Sequence, residues 1–177
     1  NNGMKMDKMK IGIIGQGYVG TAVKETFKKY FHIETYDIDP NRSSTNSLDE
    51  LIESVDFCFI CIPTPMNIDG SCNISIIKKI LSDIDKNERD KCRYYSIKST
   101  IPPGTTIMLN EEFNSIDISF NPEFLTEANF INDFKNQDRI IIGGDGEVLD
   151  KLHEIYQIIF TDVKIILTDS KTAEMVK

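Results

Sequence analysis

Two carboxylates four positions apart, Glu123 and Glu127, lie in the stretch Asn121-Pro122-Glu123-Phe124-Leu125-Thr126-Glu127. The stretch follows an apolar, strand-like run at residues 116–120. If Pro122 opens a helical turn, both glutamates fall on one face of it. Like charges at that spacing repel, so the turn itself gains nothing from the pair. Alone, the segment reads as a solvated acidic helix start, which the helix dipole favours. Paired carboxylates are also the material of proton transfer, and the rest of the chain bears on which reading holds.

A second chemical pattern is Gly15-Gln16-Gly17-Tyr18-Val19-Gly20, running directly out of a strand-like segment and into a helical one. In that context Gly15 permits a tight turn, Gly17 lets backbone approach a pyrophosphate, and Gly20 allows close helix–strand packing. The helix N-terminus offers unpaired N–H groups and positive potential to phosphates. The next strand ends in Tyr36-Asp37-Ile38-Asp39. A carboxylate there accepts hydrogen bonds from ribose hydroxyls. Asp37 is the better candidate, because it ends the apolar strand whereas Asp39 falls in the turn before Pro40. Asp37 also disfavours a 2′-phosphate, since like charges about 4 Å apart cost roughly 4 kcal/mol at an effective dielectric near 20. NAD is therefore favoured over NADP, although Arg42 leaves room for the phosphorylated cofactor. S-adenosylmethionine also uses a glycine-rich turn with an acidic residue after the second strand, but three glycines at this spacing suit a pyrophosphate better.

Elements that position these residues alternate along the chain. Strand candidates are 10–14, 33–37, 57–62, 94–98, 116–120, 139–142 and 163–167, several nearly continuous in apolar character, as strands covered on both faces should be. Helix candidates are 19–30, 47–53, 74–86, 105–112 and 147–160; in the last, Val148, Leu152, Ile155 and Ile159 form one stripe. This alternation predicts an α/β fold: a doubly wound, mostly parallel sheet of the Rossmann type with right-handed crossovers.

Length and composition exclude several classes. At 177 residues the chain makes one domain with a full core. A net charge of −8 argues against a nucleic-acid partner. No apolar run reaches bilayer-spanning length, and no signal-peptide core opens the chain, so a cytoplasmic location is expected. Four cysteines (Cys58, Cys61, Cys72, Cys92) invite a metal reading. Cys58 and Cys61 are three apart within a strand, which points them to opposite faces, and neither histidine has ligand spacing. No metal site is expected.

Further loops fall where strands end: Ile62-Pro63-Thr64-Pro65, Ser99-Thr100-Ile101-Pro102-Pro103-Gly104-Thr105 and the opening Asn-Pro-Glu segment. With the glycine loop, Arg139-Ile140-Ile141-Ile142-Gly143 and Thr172-Ala173-Glu174-Met175-Val176-Lys177, they occur in an order that resembles the N-terminal portion of the UDP-glucose/GDP-mannose dehydrogenases. The resemblance runs from about Lys10 to Lys177. It implies oxidation of a sugar C6 alcohol to a carboxylate in two NAD-dependent steps. It implies that Gly15, Gln16, Gly17, Tyr18, Val19, Gly20 and Asp37 bind NAD, with Pro63, Thr64 and Thr100 lining the path to the nicotinamide. Glu123 and Glu127 would face the reacting end of a nucleotide-sugar substrate. Glu127 matches a glutamate that assists water and proton transfers, Thr100 one that positions water, and Lys177 a lysine that stabilises a developing oxyanion.

The chain also departs from the family pattern. Thr126 and Ala128 stand where arginine and glycine are common, and the stretch between Asp37 and Phe57 is short, which touches substrate recognition. The family's nucleophilic cysteine lies in a glycine-rich segment beyond the position of Lys177, and none of the four cysteines here has that context. The expected organisation is therefore an extension at 1–9, the NAD-binding domain at 10–169 and the start of a central helix at 170–177. On that reading the chain is a fragment, inactive alone, of a protein that is a homodimer when intact.

Overall fold

The computed structural model describes residues 9–177. Seven strands form one sheet among the described residues: β1 (Lys10–Ile14), β2 (His32–Tyr36), β3 (Phe57–Ile60), β4 (Tyr94–Ile97), β5 (Asp117–Phe120), β6 (Arg139–Gly143) and β7 (Lys164–Thr168). Their order is β2-β1-β3-β4-β5-β6-β7. The helices are α1 (Tyr18–Phe27), α2 (Leu48–Ser54), α3 (Ser75–Lys86), α4 (Thr105–Glu112), α5 (Phe130–Lys135), α6 (Gly146–Ile159) and α7 (Ser170–Val176).

The near-continuous apolar strands are covered on both faces, as two separate side-chain clusters show. Cys58, Ile60, Tyr95, Ile97, Ile118 and Phe120 face one layer with Leu51, Leu81 and Leu109 of the helices. Ile11, Ile13, Phe57, Phe59, Ile140 and Ile142 face the other, with Phe27, Phe134 and Tyr156. On that second side the Phe27 ring lies 5.4 Å from Phe59 and 5.9 Å from both Phe134 and Tyr156. Each such fully buried ring or aliphatic side chain contributes about 1.5–3 kcal/mol of transfer free energy. Cys58 and Cys61 fall in opposite clusters, as their strand spacing requires.

The sheet is mostly parallel, as expected, and two features lie outside what periodicity could specify. β1 to β5 are mutually parallel, but β6 is antiparallel to β5 and carries β7 with it. Only Phe120 and Gly143 are in register at that reversal. Periodicity cannot report strand direction, which is fixed by where the intervening chain returns. The second is α5, a short Asn- and Asp-containing stretch with no sustained apolar stripe. Its helicity comes from docking Phe134, which is 1 % exposed, into the aromatic cluster beside α1.

The strand order reverses between β1 and β3, and the carboxyl ends of the strands at such a switch point are where open α/β sheets take ligands. Among the described residues, no helix is long and apolar enough to cross a membrane.

Candidate active site at the carboxyl edge of the sheet

The glycine loop sits at that switch point, and its three glycines have different reasons to be there. Gly15 leaves β1 with φ of 94°, and a Cβ on it would lie 2.5 Å from the Cys61 carbonyl oxygen. A Cβ on Gly20 would lie 1.9 Å from the Gly15 carbonyl oxygen, so the close seat of α1 against the loop requires glycine. Gly17 has an ordinary φ of −70°, is exposed, and would meet nothing within 4 Å. No internal contact explains the missing side chain at Gly17. It is the N-cap of α1 and supplies no side-chain cap, so no capping side chain occupies the first-turn N–H groups. A phosphate group fits that cradle. Tyr18 and Val19 open the helix beside it, Tyr18 exposed and Val19 half-buried, with the Tyr18 ring edge-on to Phe130.

Asp37 stands just past β2 next to this loop. Its Oδ2 accepts from the Gln16 N–H (2.7 Å) and its Oδ1 from the Asp39 N–H (2.8 Å). Each carboxylate oxygen keeps a further lone pair, so the side chain can still accept from a diol. Asp39 instead caps the short 3₁₀ turn Pro40–Arg42, accepting from the Asn41 N–H. Arg42 leans toward Asp39 at 3.6 Å rather than toward Asp37. The Gln16 side chain is buried and folds onto the Gly15 carbonyl (3.0 Å), leaving only its backbone at the switch point.

Two loops wall the far side. Thr64 Oγ1 donates to the Thr100 carbonyl (2.6 Å), and the Cys72 thiol donates to the same oxygen (3.3 Å). Ser99 Oγ donates to the Ile62 carbonyl (2.6 Å), which ties the loops after β3 and β4 together. Pro63 is exposed at the rim, and so is Thr100. The Pro102 carbonyl is taken by Thr105 Oγ1, which leaves the Thr100 hydroxyl out of that turn.

The Asn-Pro-Glu segment is not the helical turn that its sequence suggested. Residues 121–126 are irregular, and helix begins only at Phe130. Glu123 and Glu127 therefore do not share a helical face. Glu123 turns inward and is 8 % exposed, whereas Glu127 is exposed. The reason is a tertiary cation: Lys177 Nζ bonds Glu123 Oε1 (2.9 Å) and the Glu123 carbonyl oxygen, while Glu123 Oε2 accepts from the Leu125 N–H (2.6 Å). Lys177 Nζ also lies 5.6 Å from the Phe124 ring centre. Both oxygens of Glu123 are thus engaged, and Glu127 is the carboxylate turned to solvent. The Tyr18 phenol is pushed up by burial first, then by the charges of Glu123 and Glu127.

Behind Glu123 lies a group outside every motif read from the sequence. Lys98, immediately after β4, is 2 % exposed. Its Nζ donates to Asn121 Oδ1 (2.7 Å) and lies 3.4 Å from the Tyr156 hydroxyl and 5.3 Å from the Phe134 ring centre. Tyr156 also donates to Asn121 Oδ1, and Asn121 Nδ2 donates to the Ile141 carbonyl (2.8 Å). This network spans the point where the sheet reverses and only one residue pair is in register. Burial pulls the Lys98 amine down to about 8; Cys61 and Glu123 oppose the shift, and Lys177 adds to it. The neighbouring Cys61 thiol is pushed by burial up to about 12, and Cys92 likewise. Neither thiol has the ionisation that a nucleophile needs at neutral pH. A charged residue closing an otherwise apolar strand was the one sequence signal for Lys98.

The family model described as "UDP-glucose/GDP-mannose dehydrogenase family, NAD binding domain" matches residues 40–160. The UDP-glucose 6-dehydrogenase of Campylobacter jejuni is 33% identical over 204 residues, covering 96% of this chain and 51% of that protein. A UDP-N-acetyl-D-mannosamine dehydrogenase of Methanocaldococcus jannaschii is 35% identical over 131 residues, covering 71% of this chain and 30% of that protein. Among solved structures, a UDP-glucose dehydrogenase from Pyrobaculum islandicum superposes with a TM-score of 0.84 at 25% identity, covering 98% of this chain and 49% of that one. The chain spans about half the length, or less, of the curated relatives it matches.

Proposed function

The chain belongs to the UDP-glucose/GDP-mannose dehydrogenase family, and we propose that it forms the NAD-binding half of a nucleotide-sugar 6-dehydrogenase, oxidising the C6 alcohol of a UDP- or GDP-sugar to a carboxylate. The observation that carries the reading is Gly17: a residue with ordinary dihedrals and empty space where its side chain would be, at the bare N-terminus of α1. Glycine there serves a group from outside the chain. Asp37, one turn of the loop away, supplies acceptors for a ribose diol and repels a 2′-phosphate.

Bound NAD would supply the hydride acceptor. The chain's own residues would do the rest. Gly15, Gly17, Gly20 and the first turn of α1 hold the pyrophosphate, with Gln16, Tyr18 and Val19 shaping the loop. Pro63, Thr64 and Thr100 wall the path toward the reacting carbon, and Thr100, whose hydroxyl is outside the Pro102 turn, orients water. Glu123 is committed to Lys177, so it holds that ammonium where negative charge develops on the substrate oxygen. Glu127, exposed and near Tyr18, is the carboxylate left to move protons. On this reading no residue of this chain is assigned to the covalent thiol step, the nucleotide-sugar contacts or homodimerisation.

Isothermal titration of the chain with NAD⁺, NADP⁺ and S-adenosylmethionine tests the proposal. NAD⁺ is expected to bind, and Gly17→Ala is expected to weaken it at least tenfold with the thermal transition unchanged. Binding of S-adenosylmethionine in preference to NAD⁺, or NAD⁺ binding indifferent to Gly17→Ala, would refute it.

A further inference from the structure

α7 carries Lys177 at its end, and α4 follows the loop that presents Thr100. These two helices are joined by one buried carboxylate. Glu174 is 3 % exposed. Its Oε1 accepts from the Gly104 N–H (3.1 Å), and its Oε2 accepts from the Thr106 N–H (3.1 Å) and the Thr106 hydroxyl (3.2 Å). Those donors are the opening N–H groups of α4, whose own N-cap, Gly104, has φ of 90° and no side chain to offer. α4 is therefore capped by a neighbouring helix rather than by its own sequence.

The same helix is fixed at two other points. Ala173, fully buried, packs where Gly143 lacks a side chain; a Cβ there would come within 2.6 Å of the Ala173 Cβ. Lys177, less than one turn after Glu174, reaches Glu123. Ala173 sets how closely α7 approaches the sheet, but an apolar methyl contact is non-directional and fixes the rotation and axial position of the helix less sharply than hydrogen bonds do. The three hydrogen bonds of Glu174 constrain both, because they converge on two fixed N–H groups and a hydroxyl.

We infer that Glu174 is a positioning residue, whose cap on α4 places the Lys177 ammonium at Glu123 and fixes the end of the Thr100 loop at the same time. The inference deepens the proposed site and rests on Lys177 and Thr100 being part of it. The joining of the two helices stands apart from the identity of any ligand. Desolvation pushes the Glu174 carboxyl above the ordinary range, against the hydrogen bonds from Thr106 and Gly104, as expected of a carboxylate held inside for its geometry.

The test uses the whole chain and limiting acetylation with an N-hydroxysuccinimide ester, read by fragment-ion mass spectrometry. Lys171 lies on the same helix, is exposed, and serves as internal reference. In the unaltered chain Lys177 is expected to label several-fold more slowly than Lys171, because its amine is engaged with Glu123. Glu174→Ala is expected to raise the Lys177-to-Lys171 ratio at least threefold, and Glu174→Gln, which keeps one acceptor oxygen, to fall between. A merely stabilising Glu174 would not change one lysine against another on one helix. Thr106→Val removes a single donor from the other side and is expected to raise the ratio by a smaller factor, which settles the matter should Glu174→Ala fail to fold. Ratios unchanged in Glu174→Ala and Thr106→Val overturn the inference. NAD⁺ titration of the same samples separates the two readings. A labelling change in a chain that never binds NAD⁺ sinks the function and keeps the coupling, and the converse sinks the coupling.

Discussion

Replacing Lys98 by methionine is expected to change the pH dependence of stability in one direction and by a calculable amount. In the folded chain the amine is pulled down to about 8 by burial, whereas in the unfolded chain it returns to roughly 10.4. Between those values the unfolded state holds a proton that the folded state has lost, so stability rises with pH at about 1.4 kcal/mol per pH unit. The full span amounts to about 3 kcal/mol. Below pH 8 this contribution is absent, because both states are protonated and the folded one confines an ammonium. The buried thiols act in the opposite sense. Cys61 and Cys92 are pushed up to about 12, and burial also raises the Cys58 thiol well above its ordinary value, so each loses stability as pH rises above roughly 8.5, where the unfolded thiol ionises. The raw profile of the unaltered chain mixes these effects; the difference from Lys98→Met cancels the thiols.

The assay is urea unfolding of both proteins under reducing conditions from pH 7 to 10. Stability of the unaltered chain minus that of Lys98→Met is expected to be flat below pH 8. It should then climb by roughly 2–3 kcal/mol by pH 10. The offset at pH 7 is not diagnostic, since methionine loses the bond to Asn121 while relieving a confined charge. Parallel curves would refute the reasoning, because they would mean that Lys98 keeps its proton inside the fold.

Other outcomes follow from the same geometry. Asp37→Asn should weaken NAD⁺ binding by roughly tenfold to a hundredfold, the value of one or two charge-assisted hydrogen bonds, and narrow the preference over NADP⁺ by a larger factor. Titration with both cofactors reads that ratio, and an unchanged ratio removes Asp37 from the ribose site. Asn121→Leu should cost up to about 1.4 kcal/mol more at pH 7 than at pH 9.5, because at pH 7 it strands the Lys98 ammonium, which can escape only by giving up its proton one unit below its pKa, whereas at pH 9.5 that amine is already neutral. Equal losses at the two pH values, measured by urea unfolding, would show that the asparagine matters only for packing.

The sequence determined the layers and the cofactor edge, since both are local properties. Apolar strands buried on two faces announce themselves by composition, as Phe57–Ile60 does with four buried residues in a row. The glycine loop is legible because its spacing is local: Gly20 meets the Gly15 carbonyl five positions earlier, although the Cys61 carbonyl that crowds Gly15 comes from the loop after β3. Glu123, Glu127 and Lys177 could be named from their order along the chain, but not arranged. Two carboxylates at helical spacing suggested a shared face; the structure separates them, because Lys177, 54 residues downstream, draws Glu123 inward while Glu127 stays in solvent. The reversal at β6, the Lys98–Asn121–Tyr156 network that spans it, and the Glu174 cap on α4 were likewise outside the reach of sequence. Each is a contact between residues 23 to 70 positions apart, and nothing in local propensity or periodicity encodes which distant partner a buried polar group will find. Burial demands that such a group be paired; only the tertiary fold chooses the pair.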